Sequence, residues 1–213
     1  MSLIPDDKKD FLRVEFKEKL VNPVKILVFT QEVECDFCAN TRQLVQELAA
    51  LSDKITVEVY DFVADAEAKE YGIDKIPALA IIGEKDYGVR IYGIPYGYEF
   101  QTLVNAVINV SKGKTDLSEK TKAILGEVKS PVHIQVFVSL TCPHCPAAAS
   151  IAHKLAIESD LIRADVIDGG EFPHLVQKYA VISVPKVVIN DKIEFVGAFS
   201  EDLFAEHALL SAF

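Results

Sequence analysis

The chain has 213 residues, half of them hydrophobic and a quarter charged, with a formal net charge of −10. That length suits two domains of ordinary size, and that composition excludes a fibrous or disordered protein. An acidic balance with no basic cluster argues against a nucleic acid or an anionic membrane as partner.

In chain order, an opening helix is expected at roughly Asp6–Leu20, and the charges that run through this segment leave no apolar core of a signal peptide. The chain ends in Leu-Ser-Ala-Phe, which is no endoplasmic-reticulum retention signal, so a cytoplasmic location is expected. The β-branched run Val24–Thr30 predicts a strand that leads into Cys35-Asp36-Phe37-Cys38. Leu44, Leu48 and Leu51 then share one helical face. A second strand is expected at Ile55–Asp61, followed by a short helix ending near Tyr71. Pro77 opens a hairpin with arms at 78–82 and 87–93, and Phe100, Leu103, Val104, Val107 and Ile108 stripe a closing helix.

The order then repeats at an offset of 107–108 residues. Ser111 to Thr115 is a polar, Gly-containing join, and Asp116-Leu117-Ser118-Glu119 reads as a capping box for a helix ending near Gly126. Val132–Val138 matches the first strand, Cys142-Pro143-His144-Cys145 the first cysteine pair, and Ala148, Ile151 and Leu155 the helix after it. Ile162–Asp168, a short helix near Tyr179, Pro185, a hairpin with arms at 186–189 and 193–197, and a helix bearing Leu203, Phe204, Ala208 and Leu209 complete the copy. Two copies make a duplicated domain rather than a solenoid. The expected division is residues 1–114 and 115–213, each an α/β unit with a mixed sheet flanked by helices.

Thiol–disulfide exchange needs a thiolate, a resolving thiol beside it and access for a substrate. Two cysteines three apart in the first turn of a helix lie on one face, and the helix N-terminus stabilises the first as an anion. Cys35 and Cys142 are therefore the expected nucleophiles, with Cys38 and Cys145 the resolving thiols. A four-cysteine zinc ribbon brings its two pairs within about 20 residues; here 104 positions separate Cys38 from Cys142, so no metal is expected. The remaining histidines match no ligand pattern, and Asp61 and Asp168, at strand ends, read as caps. With no Gly-x-Gly-x-x-Gly motif, no cofactor is expected beyond the redox-active disulfides, and electrons must come from or go to another protein.

Pro77 follows Cys35 by 42 positions and Pro185 follows Cys142 by 43, each after a β-branched residue. This resembles the thioredoxin superfamily. The resemblance implies two tandem thioredoxin-like domains, with cis prolines facing the thiols and with Ile76-Pro77 and Val184-Pro185 as peptide-binding edges. The length, the paired motifs and the run from Gly83 to Arg90 into Gly93-Ile94-Pro95 resemble the protein disulfide oxidoreductases of thermophilic archaea and bacteria, a glutaredoxin-like family. Ser139 to Pro146, with Val166 to Gly170, is similar to the amino-terminal relay domain of bacterial alkyl hydroperoxide reductase flavoproteins. Three functions follow as expectations: an enzyme acting on protein disulfides or dithiols, a relay between a thioredoxin-reductase-like flavoprotein and a peroxidase, or a non-catalytic peptide-binding module. Thioredoxin's buried aspartate has no counterpart, because Val28-Phe29 and Val136-Phe137 stand there.

The two pairs are not equivalent. Glu32, Glu34 and Asp36 surround Cys35, whereas residues 131–150 contain no carboxylate and place His144 between the cysteines. Like charge disfavours a thiolate and a partial positive charge favours it. The Cys-Pro-His-Cys tetrapeptide also resembles that of the strongly oxidising periplasmic dithiol oxidases. The Cys142 thiolate should therefore form at lower pH than that of Cys35, read as thiolate absorbance against pH in Cys35→Ser and Cys142→Ser. Equal or reversed order would refute the asymmetry.

Overall fold

The computed structural model describes residues 2–213. Its elements are α1 (Asp6–Lys19), β1 (Val24–Thr30), α2 (Cys38–Ala49), β2 (Ile55–Asp61), α3 (Glu67–Glu70), β3 (Ala78–Ile82), β4 (Asp86–Tyr92) and α4 (Glu99–Lys112). The second half supplies α5 (Glu119–Gly126), β5 (Val132–Val138), α6 (Cys145–Glu158), β6 (Ile162–Asp168), α7 (Pro173–Lys178), β7 (Lys186–Ile189), β8 (Ile193–Val196) and α8 (Glu201–Ser211). The two thioredoxin-like units follow the expected order. The expected capping box is replaced by a simpler cap, since Ser118 accepts from the Thr121 N–H and Asp116 takes no part.

The units share one eight-stranded sheet in the order β2-β1-β3-β4-β6-β5-β7-β8. Within each half, the first two strands are parallel and the hairpin antiparallel. The halves join where β4 runs parallel to β6, pairing Val89 to Tyr92 with Ala164 to Ile167. β1 and β5 are covered on both faces, which explains their nearly unbroken apolar runs. Each crosses to its parallel neighbour in the same direction. Right-handed crossovers therefore put α2 and α6 on one face. Their Leu44, Leu48, Ala148, Ala152 and Leu155 share a core with Leu103 and Val107 of α4 and Phe204 of α8. Ala68 of α3 and Phe172 before α7 pack on the opposite face with Phe29, Tyr92 and Phe137.

Polar side chains brace the seam. Arg163 Nη2 donates to Tyr92 Oη at 2.6 Å and its Nη1 to the Tyr71 carbonyl at 3.4 Å, while its Nε donates to Asp165 at 2.8 Å. Arg90, only 2% exposed, forks onto Asp86 and the Tyr71 carbonyl. The buried His153 ring donates to the Arg90 carbonyl at 3.1 Å, and burial pushes its pKa down to about 4. That gives His153 a structural role. Among the described residues, no helix is long and apolar enough to cross a membrane.

Burial works against a charge on Asp165. The His133 ring at 2.7 Å and the Arg163 guanidinium outweigh it and hold the carboxyl down at about 2. A depressed carboxyl contributes stability above its unfolded value near 3.9, lost as pH falls toward about 2. Asp165→Asn should cost about 3 kcal/mol at neutral pH, as for other broken buried charge networks. It should also flatten the stability loss between pH ~4 and ~2 in urea titrations. An unchanged acid profile would show that Asp165 does not carry it.

Candidate active site

Each thiol pair sits where a central strand gives way to a helix. Cys35 is disulfide-bonded to Cys38, and Cys142 to Cys145. The helices begin one turn later than the spacing suggested: α2 starts at Cys38 after an N-cap at Phe37, and α6 at Cys145 after an N-cap at His144. The first cysteine of each pair therefore precedes its helix. The helix end still faces the sulfur in the second pair, where the Cys145 N–H donates to Cys142 Sγ at 3.1 Å. Free N–H groups at a helix start favour negative charge on that sulfur. Cys38 and Cys145 are buried, Cys35 is half-buried and Cys142 is 9% exposed.

The Ile76–Pro77 and Val184–Pro185 peptide bonds are both cis. In the second half the edge meets the thiol directly, with the Val184 carbonyl oxygen 3.8 Å from Cys142 Sγ. Ile182 stands two residues before this edge and is 96% exposed. The matching place in the first half holds Asp74, ion-paired with Lys75. His144 is exposed on the motif. Around Cys35 the fold adds a base, since Arg42 of α2 donates to Glu32 at 2.6 Å and offsets one of the three carboxylates. Asp61 and Asp168 brace turns rather than cap helices, accepting from the N–H groups of Val63 and Ala64, and of Gly170.

Three carboxyls missed as functional candidates gather between the two pairs. Glu99, 2% exposed, accepts from Thr102 through Oε2, and its Oε1 has no hydrogen-bond partner among the described residues. Burial, with the nearby Asp168 charge, pushes its pKa up to about 7. Glu171 accepts from the Ile94 N–H at 2.6 Å, and burial, with Asp168 and Asp36 nearby, also raises it to about 7. Burial raises Asp168 as well. Glu99 belongs to the first repeat and opens α4 beside the loop that leads into the second site. The Tyr98 N–H before it donates to the Leu140 carbonyl at 3.0 Å, two residues ahead of Cys142. Gly97, at φ +59°, permits this approach, because a Cβ there would collide with that carbonyl oxygen.

A thioredoxin domain family matches residues 132–209. Over 98% of its length the chain is similar to the crystal structure of a protein disulfide oxidoreductase from Aeropyrum pernix, with 30% identity, 93% of that chain covered and a TM-score of 0.91. The chain belongs to the protein disulfide oxidoreductase family. This oxidoreductase also matches the amino-terminal domain of an alkylhydroperoxide reductase from Enterococcus faecalis, at 26% identity and a TM-score of 0.88, covering 96% of this chain and 99% of that one. An alkyl hydroperoxide reductase of Pseudomonas aeruginosa is 29% identical over 182 residues, 84% of this chain and 32% of that protein. The chain spans about a third of the length of such curated relatives.

A carboxyl raised by folding adds stability that is complete below its unfolded value near 4.5 and is lost as pH rises toward about 7. The loss attributable to Glu99 by pH 8 is on the order of 3 kcal/mol. Glu99→Gln should therefore be more stable than the native chain at pH 8 and similar to it at pH 4, by urea denaturation at both. A variant no more stable at pH 8 would remove the buried-acid assignment.

Proposed function

We propose that this thiol–disulfide oxidoreductase acts on protein disulfides and dithiols through both pairs, without a cofactor of its own. The observation that carries the reading is the second site. There a disulfide, a helix N-terminus 3.1 Å from the outer sulfur and a cis-proline edge 3.8 Å from it converge. In the reducing direction, the Cys142 thiolate attacks one sulfur of a substrate disulfide, and the other leaves as a thiolate. Cys145 then loses its proton, attacks Cys142 Sγ and releases the second substrate thiol, leaving the disulfide seen here. Glu99, with a pKa near neutrality and a free oxygen, is the proposed proton acceptor for Cys145. Cys35 and Cys38 play the same parts at the first site. Ile76 and Val184 offer backbone to an extended substrate segment, and Ile182 adds an apolar contact at the second site. His144 is assigned to stabilising the Cys142 anion.

The likeness to the alkylhydroperoxide reductase amino-terminal domain supports a second reading, a relay from a thioredoxin-reductase-like flavoprotein to a peroxidase. Dithiothreitol-driven insulin reduction should be present in the native chain and absent in Cys35→Ser/Cys142→Ser. Binding of unfolded insulin chains without turnover would favour a non-catalytic peptide-binding module. Faster turnover of a peroxidase than of insulin would favour the relay.

A further inference from the structure

The backbone register fixes how far apart the two sites lie. Phe29 of β1 pairs with Ala78, Ala78 with Tyr92, Tyr92 with Ile167, and Ile167 with Phe137 of β5. This row crosses the sheet at one level. β1, β4, β6 and β5 all point the same way, since two antiparallel steps lead from β1 to β4 and two parallel steps from β4 to β5. Cys35 follows the row by six residues and Cys142 by five, so both pairs stand on the same edge of the molecule. Four strand steps at about 4.8 Å each separate β1 from β5 by ~19 Å, and sheet twist splays the strand ends further.

Direct exchange between the pairs would require the sulfurs to bond, with their Cα atoms within about 7 Å. The space between is filled. Glu171 is bonded to the Ile94 N–H there, and the Gly97–Tyr98 segment is seated on Leu140. A hinge is also blocked, because the seam joins backbone ladder, the Arg163 and His153 hydrogen bonds and the packing of α4 on α6.

We infer that the two pairs of one molecule do not exchange with each other, and that redox equivalents pass between them through a mixed disulfide joining Cys142 of one copy to Cys35 of another. This rests on both pairs being redox-active. In the step, the Cys35 thiolate of a reduced first site attacks Cys142 Sγ of an oxidised second site, and Cys145 leaves as a thiolate. Cys38 gives up its proton and attacks Cys35 Sγ, and Cys142 leaves. Two electrons have then moved, with the two protons of the consumed dithiol taken up by the new one. Charge suits this pairing. Cys35 is half-exposed among the exposed Glu32, Glu34 and Asp36, whereas the loop around Cys142 carries no carboxylate. Two first sites repel each other more than a first and a second site do.

The test uses two single-pair variants and the native chain. Cys142→Ser/Cys145→Ser, reduced, is mixed with Cys35→Ser/Cys38→Ser, oxidised. Native chain, half-reduced and freed of reductant, is followed alongside by alkylation and peptide mass mapping. Separate reduction of each pair by dithiothreitol checks the underlying activity, so its failure is read independently. The variants should exchange with second-order kinetics, and tenfold more native protein should redistribute about ten times faster, as a bimolecular step requires. Both rates should rise with salt, because copies of net charge −10 repel. Redistribution in the native chain at a rate independent of concentration would overturn the inference. So would a Cys35–Cys142 link within one monomer in Cys38→Ser/Cys145→Ser, or no exchange between the variants.

Discussion

The parallel pairing of β4 with β6 is the contact on which the other features rest. Each repeat alone would end in a hairpin strand with an unpaired edge, and β4 and β6 would both present open backbone groups to water. Pairing Val89 to Tyr92 with Ala164 to Ile167 closes both edges. It also buries the Arg90 guanidinium and partly covers that of Arg163, and each meets a carboxylate while the two share the Tyr71 carbonyl. Removing either acid would strand a charge beside the ladder. The same junction carries α4 onto α6 and sets the residues before α4 against the Leu140 carbonyl, two residues ahead of Cys142.

Much of this was readable in advance because it is local. The strands of each βαβ half announce themselves as β-branched runs, and the paired cysteines and prolines recur at matched distances. The junction was not readable. Arg90 in β4 looks like an outward-facing residue of an edge strand, but it is buried in the strand that pairs with the other repeat. Glu99 escaped for the same reason. In sequence it opens an amphipathic helix 43 positions before Cys142, and its burial, raised pKa and unpartnered oxygen arise from tertiary contact. Arg42 beside Glu32 was missed because the helix turn, not adjacency, brings them together. A signal for Glu99 existed in the absence of any acid on Val24–Thr30 or Val132–Val138, which left a resolving thiol in need of a base from elsewhere.

Duplication has given the repeats different surroundings on one framework. The first site stands among carboxylates with an Asp74–Lys75 ion pair beside its proline edge. The second has an acid-free loop, an exposed histidine and the bare side chain of Ile182. A charged rim tunes encounter and selectivity more than affinity, whereas an exposed apolar side chain beside a binding edge rewards unfolded or flexible polypeptide. The framework fixes the chemistry in both places, and the rim sets what reaches it.

Fusing two sheets into one also alters the chain's exposure to self-association. Two separate four-stranded sheets would carry four open edges, and the eight-stranded sheet has two, β2 and β8. Each survivor bears a charged residue tied to its neighbouring strand, Glu58 to Lys25 on β2 and Glu194 to Lys186 on β8. Another copy's strand seeking to add there would have to desolvate a carboxylate and break its ion pair, a recognised deterrent to fibrous stacking. Doubling the catalytic centres has thus left the molecule with no more aggregation-prone border than one unit would have had.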